Sequence, residues 1–475
     1  MELLYFIGIV IYWIVVALAV IHVVMDNRQP AKTMAWALVI LFVPVAGIVL
    51  YLFFGVNTRR ERLVSQRSLD QLTKRSMLEF VEQEDLRLPE RHQRLIELYV
   101  NQNFSLPFKN NIVSIQTNGY EFFAELFEAV GQARDHIHID LYIFEDDALG
   151  MLLSDMLIDK QRQGVEVRII YDDVGCWNVK HAFFERMRLE GIEVVPFLPV
   201  RFPSFTSKVN YRNHRKMIVI DGRVGFIGGM NVALRYVKGQ QPWRDTMVRI
   251  EGSAVYALQR AFLIDWYFVD RTLISDRKYY PPADKERPAP ANDCIAQVVT
   301  SGPVSPYPEI MQGYVHAITT ARHHIYIETP YFLPTEPVLF ALKTAAVSGI
   351  DVRLIVPLRS DARFVEWTSR SYLREVVHAG VQVYMYDAGF IHSKMMVVDD
   401  TLCTCGSTNI DFRSFENNFE SNVFIYDEQT AQQFQQLFLE DQQHSRPLSE
   451  MTWRMNPTFL KRLLESLARI LAPLL

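Results

Sequence analysis

The run Ala133-Arg-Asp-His-Ile-His-Ile-Asp-Leu-Tyr-Ile-Phe144 is answered later in the chain by Ala321-Arg-His-His-Ile-Tyr-Ile-Glu-Thr-Pro-Tyr-Phe332. Two further pairs follow in the same order. Gly164-Val-Glu-Val-Arg-Ile-Ile170 matches Gly349-Ile-Asp-Val-Arg-Leu-Ile355, and Gly191-Ile-Glu-Val194 matches Gly380-Val-Gln-Val383. Three ordered matches at similar offsets identify two copies of one unit. Within each copy, apolar β-rich runs alternate with amphipathic helical stretches, which is the pattern of α/β layering. The expected fold is therefore α/β, built from two copies of one α/β unit.

A fourth pair carries the chemistry. His214-Arg-Lys216-Met-Ile-Val-Ile-Asp221 is followed by Gly228-Gly229-Met-Asn231, and His392-Ser-Lys394-Met-Met-Val-Val-Asp399 by Gly406-Ser407-Thr-Asn409. In a strand, residues i and i+2 share a face. His214 and Lys216 should thus point one way, as should His392 and Lys394, and a twofold packing of the copies would bring both faces together. Two imidazoles with two ammonium groups suit a phosphodiester. The lysines neutralise charge that develops on non-bridging oxygens, and they disfavour imidazolium nearby, which keeps a histidine nucleophilic. Attack by one histidine and proton donation by the other call for environments that push the two pKa values apart.

The supporting residues follow from the same pattern. Gly229 and Ser407 are small enough for backbone to approach a ligand, and Asn231 and Asn409 can donate hydrogen bonds to anionic oxygens. A carboxylate behind each ring would orient it; the candidates are Asp245 and Glu420, at similar distances beyond their motifs. Asp221 and Asp399 complete the motif and belong to the catalytic set on that ground. Their odd spacing from the lysines would face them away from the reacting centre, as strand-end anchors with an indirect role. Two histidines beside two lysines make a poor cation site, so no metal is expected. His136, His138, His323 and His324 lack ligand spacing and read as structural. Trp243, Tyr331 and Phe332 suit either a lipid groove or the core, with the core favoured.

The ends of the chain point to a membrane. Leu3 to Met25 and Thr33 to Thr58 contain no Asp, Glu, Lys or Arg, and each is long enough to cross a hydrocarbon core of about 30 Å. The pair reads as a helical hairpin; Pro44 and Gly47 interrupt the second run, so a re-entrant form is the alternative. Arg59, Arg60, Arg62, Arg67, Lys74 and Arg75 follow, against Arg28 and Lys32 in the connector. The positive-inside rule then places the large C-terminal part in the cytoplasm. At the other end, Leu460, Leu463, Leu464, Leu467 and Leu471 form one helical stripe flanked by Lys461, Arg462, Glu465 and Arg469. This fits equally an interfacial membrane helix and a helix packed on the protein's own core. A net charge of −5 disfavours a nucleic-acid partner. The four scattered cysteines, Cys176, Cys294, Cys403 and Cys405, read as reduced. The expected organisation is two membrane helices over 1–58, a basic linker over 59–110, the first catalytic half over 111–280, a Pro-rich linker over 281–293, the second half over 294–456 and an amphipathic helix over 457–475.

The duplicated motif is similar to the HKD signature of the phospholipase D superfamily. With two N-terminal membrane segments, a basic linker and Glu328-Thr-Pro-Tyr331-Phe332-Leu-Pro334, the whole chain resembles the bacterial cardiolipin synthases. The resemblance implies two tandem phospholipase D-like α/β/α repeats related by a pseudo-twofold axis, location in the bacterial inner membrane, phosphatidylglycerol as substrate and no cofactor. It also implies transfer through a phosphohistidine, with His214 as nucleophile and His392 as acid and then base. A hydrolytic phospholipase D and a membrane-tethered nuclease of the same superfamily are the rival readings.

Overall fold

A computed structural model describes residues 2–25, 30–55, 86–200, 210–238, 242–281, 294–451 and 455–472. Most of the linker read over 281–293 and the basic residues from Arg59 to Arg75 lie outside them.

The chain opens with α1 (Glu2–Met25), α2 (Pro30–Phe42), α3 (Pro44–Leu50) and a short π-helical turn, Tyr51–Gly55. The stretch from Tyr5 to Met25 is the only helix, among the described residues, that is long and apolar enough to cross a membrane. The second apolar run is not a single straight helix. Pro44 cannot continue the hydrogen-bond ladder of α2, and the chain turns back there. Trp36 and Tyr51 pack edge to face with ring centroids 5.5 Å apart, whereas an unbroken helix would separate them by about 22 Å. Val16, Val23, Trp36, Ile40 and Tyr51 form one small core. The N-terminal segment is thus one helix of spanning length with a second apolar run folded back beside it.

Next come α4 (Gln93–Asn103), β1 (Pro107–Phe108) and β2 (Asn111–Gln116). The expected linker therefore ends earlier than residue 110. Leu95, Ile96 and Tyr99 of α4 enter the core of the second half, and β1 pairs with its first strand. One apolar stripe of a charge-rich helix is enough to dock it.

The first half continues with α5 (Gly119–Gln132), β3 (His136–Leu141), α6 (Ala148–Arg162), β4 (Glu166–Asp172), α7 (His181–Leu189), β5 (Glu193–Phe197), β6 (Lys216–Ile220), β7 (Val224–Gly228), β8 (Met247–Gly252) and α8 (Val255–Asp270). The second half contains β9 (Ile295–Ser301), α9 (Glu309–Thr320), β10 (His324–Glu328), β11 (Phe332–Leu333), α10 (Glu336–Val347), β12 (Asp351–Pro357), α11 (Arg363–His378) and β13 (Gln382–Tyr386). It ends with β14 (Met395–Val398), β15 (Leu402–Gly406), β16 (Ile410–Asp411), α12 (Phe412–Glu416), β17 (Glu420–Tyr426), α13 (Glu428–Gln443), β18 (Ser445–Pro447) and α14 (Phe459–Leu471).

The sheet orders are β2-β8-β7-β6-β3-β4-β5 and β1-β9-β17-β15-β14-β10-β12-β13-β18. Without β1 and β18 at its edges, the second order is the first repeated strand for strand. The halves meet across a shared core that includes Met217, Val219, Ile227 and Val248 from one and Met395, Val397, Cys403, Cys405 and Val423 from the other. All four cysteines are buried and free. Matching backbone bridges, Asn213 to Phe419 and Arg244 to Ile391, stitch the seam.

Candidate active site

Each motif histidine sits just before a central strand, where the chain crosses the seam. The His214 amide donates to the carbonyl of Phe419 at 2.9 Å, and the His392 amide to that of Arg244 at 2.6 Å. Both backbones are thereby held by the opposite half. The partners of the rings are exchanged in the same way. His214 Nδ1 lies 3.0 Å from both carboxylate oxygens of Glu420, and His392 Nδ1 lies 2.6 Å from Asp245 Oδ2. Each half thus supplies the carboxylate for the other half's histidine. With Nδ1 turned to a carboxylate, Nε2 is left as the reactive nitrogen of each ring.

The lysines stand beside the rings. Lys216 Nζ donates to the His214 carbonyl at 2.6 Å and lies 5.2 Å from the centre of the Tyr142 ring. Lys394 Nζ donates to the His392 carbonyl and lies 2.9 Å from His392 Nδ1. Burial pulls Lys216 down to about 7 and Lys394 to about 8, although Glu420 and Asp245 oppose the shift. Burial also lowers His214 to about 4 against the pull of Glu420. For His392, burial and then Lys394 lower the value to about 3. Burial alone would raise both carboxylates. The His392–Lys394 pair outweighs it for Asp245, and the His214–Lys216 pair does so for Glu420, so both stay below the ordinary range. The resting site therefore holds two neutral imidazoles over two carboxylates. The expected splitting of the two histidines is absent at rest, because the twofold gives each ring an equivalent carboxylate and lysine.

Not every motif residue reaches the reacting centre. Asp221 accepts the amides of Arg134, Asp135 and His136 at 2.8, 2.8 and 2.9 Å. Asp399 accepts those of Arg322, His323 and His324 at 2.7, 2.7 and 2.9 Å. Both have φ of 53° and close the turn at the far end of the strand from the histidine. Their place in a catalytic set is corrected accordingly; they anchor the start of the neighbouring strand, β3 or β10. Gly229 and Ser407 also serve the carboxylates and do not line the cavity. A Cβ at Gly229 would overlap the Asp245 carboxylate, while the Ser407 hydroxyl donates to Glu420. Asn418 donates to Glu420 as well, at 3.2 Å.

His214, His392, Asn231 and Asn409 open on one cavity of about 450 Å³. Asn231 Oδ1 is occupied by the Ile143 amide at 3.0 Å, whereas Asn409 Oδ1 is buried with no hydrogen-bond partner among the described residues. His136 and His138 share Gln259 within the first half, at 3.0 and 3.2 Å, in keeping with a structural role. His324 faces Asp400 at 3.1 Å.

Comparisons with known proteins identify the family. A family model described as cardiolipin synthase, PLD-like domain, matches residues 126–266 and 314–442. A second, described as phospholipase D-nuclease N-terminal, matches 14–55. A cardiolipin synthase of Geobacillus thermodenitrificans is 40% identical, over 95% of this chain and 90% of that protein. The major cardiolipin synthase ClsA of Bacillus subtilis is 38% identical, over 97% of each chain. The chain belongs to the phospholipase D-like cardiolipin synthase family. The fold alone is shared with phosphatidylserine synthase of Haemophilus influenzae, at a TM-score of 0.63 and 16% identity, covering 81% of this chain and all of that one.

For a phospholipase D-like site, several cavity residues were not singled out by sequence. Tyr142, Arg212, Arg235 and Arg413 line it. The arginines bring positive charge to a cavity suited to an anion, although Arg235 is paired with Glu145 and Arg212 lies 3.5 Å from Asp172. Tyr142 was visible in the repeated β3 run, but not as a site residue. Arg235 and Arg413 do carry a repeat signal, since each stands four residues beyond the asparagine of its motif, Asn231 or Asn409; Arg212 has no counterpart, Phe390 standing at its place in the second copy. Trp243 and Tyr331, assigned by preference to the core, line the cavity as well, whereas Phe332 is buried in the second core.

Proposed function

We propose that the chain makes cardiolipin by passing the phosphatidyl group of one phosphatidylglycerol to the glycerol hydroxyl of another. The observation that carries this reading is the exchanged pair of histidine–carboxylate contacts on one cation-flanked cavity, in a chain of this family. His214 Nε2 attacks phosphorus, and the phosphorus–oxygen bond to glycerol breaks. His392 gives its proton to the departing glycerol oxygen. The hydroxyl of the second lipid then returns a proton to His392 as its oxygen displaces His214. Lys216 and Lys394 supply positive charge to the phosphoryl oxygens, and an arriving phosphate raises both lysines and His392 toward their charged forms. Incubating the full chain with phosphatidylglycerol and weighing the lipids by mass spectrometry tests this. Cardiolipin and glycerol should appear in equal amounts; phosphatidic acid in place of cardiolipin, with glycerol still released, would make the enzyme a hydrolase. Chelators should leave the rate unchanged, since lysines and arginines supply the charge. Complete loss with EDTA, restored by one divalent ion, would refute the metal-free route.

The pH profile follows from the same groups. Because kcat/KM reports the free enzyme, it should fall as pH drops toward about 4, where His214 takes up a proton. It should also fall with rising pH, first because His392, the acid, must take up a proton that it lacks in the free site, and more steeply through about 7 and about 8, where Lys216 and Lys394 lose theirs. The alkaline limb of kcat should lie higher than that of kcat/KM, because bound phosphate favours the charged lysines. Coincident alkaline limbs would show that the lysines do not titrate in the free site.

Read as a re-entrant anchor, the folded-back second run favours a cytoplasmic catalytic part. With one crossing, the connector carrying Arg28 and Lys32 lies on the same side as the basic run from Arg59 to Arg75. All of that positive charge then falls on one face of the membrane.

A further inference from the structure

The terminal helix α14 is packed inside out. It lies along α11 through its polar and small side. Glu465 is paired with Arg374 and lies 3.9 Å from Arg370. Arg469 meets Glu375 at 2.6 Å and sits 4.1 Å from the centre of the Tyr372 ring. Ala468 and Ala472 are buried against the body. The opposite side is apolar and open: Phe459 is 82% exposed, and Leu460, Leu463, Leu464, Leu467 and Ile470 are exposed with it. Lys461 and Arg462 are exposed beside the stripe. Of the two readings of this helix, packing of its leucine stripe on the protein's own core is ruled out.

Two contacts place the end of α14 and the N-terminal apolar segment beside the reaction cavity. Ala472, at the end of α14, lines the cavity itself. Lys32, at the entry to the folded-back second run, is ion-paired with Glu416 of α12, and Phe412 and Arg413 of the same short helix also line the cavity. The membrane anchor and the C-terminal end of α14 therefore converge on the same cavity, with the apolar face of α14 turned outward. We infer that α14 is an in-plane membrane helix whose leucine face sinks into an anionic phospholipid leaflet, holding the cavity at the lipid headgroups. An apolar face of this kind, with basic residues at its margin, suits the boundary between headgroups and acyl chains. The phosphates of the leaflet complement Lys461 and Arg462.

The test uses the full chain in vesicles of phosphatidylglycerol and phosphatidylcholine, with single cysteines carrying an environment-sensitive fluorophore in a background lacking the four native, buried cysteines. Probes at Leu463→Cys and Leu467→Cys should shift to the blue and be quenched by lipids spin-labelled on the acyl chain. Probes at Arg462→Cys and Ser466→Cys should stay shallower. Adding Leu467→Glu should return the Leu463→Cys probe to a watery spectrum. Equal water exposure at all four positions would overturn the proposal. So would a blue-shifted probe at Leu467→Cys that acyl-chain quenchers cannot reach but that cross-links to a second copy. Neither readout depends on turnover, so the result stands apart from the assignment of the reaction.

Discussion

His214→Ala is expected to abolish covalent loading of the enzyme, whereas His392→Ala should load and then stall. The two histidines are near mirror images at rest, yet the proposed roles differ. Removing His214 removes the nucleophile, so no phosphatidyl adduct should form with any donor. Removing His392 takes away the acid that assists the leaving alkoxide. A donor that needs no such help, phosphatidyl-p-nitrophenol, should still place a phosphatidyl group on His214. Turnover should then be slow, because the base for the acceptor hydroxyl is also gone. Overall synthesis should fall by roughly 10⁵-fold or more in either variant, as for other catalytic groups that act as a unit. Intact-mass analysis after exposure to the activated donor reads the difference. An adduct on His392 in the His214→Ala protein would reverse the assignment, and equal adducts in both variants would mean that either imidazole can attack.

Glu420→Gln should reproduce the His214 defect even though Glu420 belongs to the other half of the chain. Its carboxylate is fully buried and sits 3.0 Å from His214 Nδ1. The amide keeps the volume and loses the charge. If its NH₂ group donates to Nδ1, the ring proton moves to Nε2 and the attacking lone pair disappears. A loss of about 10³- to 10⁴-fold in adduct formation is expected, by analogy with a carboxylate that fixes the tautomer of a catalytic histidine. Asp245→Asn should instead reproduce the His392 defect, loading from phosphatidyl-p-nitrophenol and then failing to turn over. Rapid-quench measurement of loading and release separates the two. If Asp245→Asn blocked loading while Glu420→Gln left it intact, the exchanged pairing would not operate in the reaction. Both variants should fold as the parent does, which their thermal transitions would verify.

The duplicated H-x-K-x4-D motif was readable because strand geometry is local. A period of two puts His214 with Lys216, and His392 with Lys394, on one face whatever lies beyond the strand. The repeated runs likewise fixed two α/β units and the order of their strands, because each unit is written in contiguous sequence. The anchoring role of Asp221 and Asp399 was legible for the same reason. Five residues from lysine to aspartate take the carboxylate to the other end of a short strand, where three amides wait for it.

Other features were set by contacts between residues far apart in the chain. Asp245 and Glu420 were visible as candidates, but their pairing depends on how the halves meet, and the twofold crosses them over the seam. Pro44 marked an interruption; only the packing of Tyr51 on Trp36 turned it into a return. The leucine stripe of α14 had the same periodicity whether it faced core or membrane. Ion pairs from Glu465 and Arg469 to α11 decided which side was buried. The sequence by itself determined the repeated strands, the reactive side chains and the face each one occupies. Tertiary structure alone decided which carboxylate serves which histidine and which apolar surfaces stay uncovered, because both depend on the docking of distant surfaces and not on the period of any one segment.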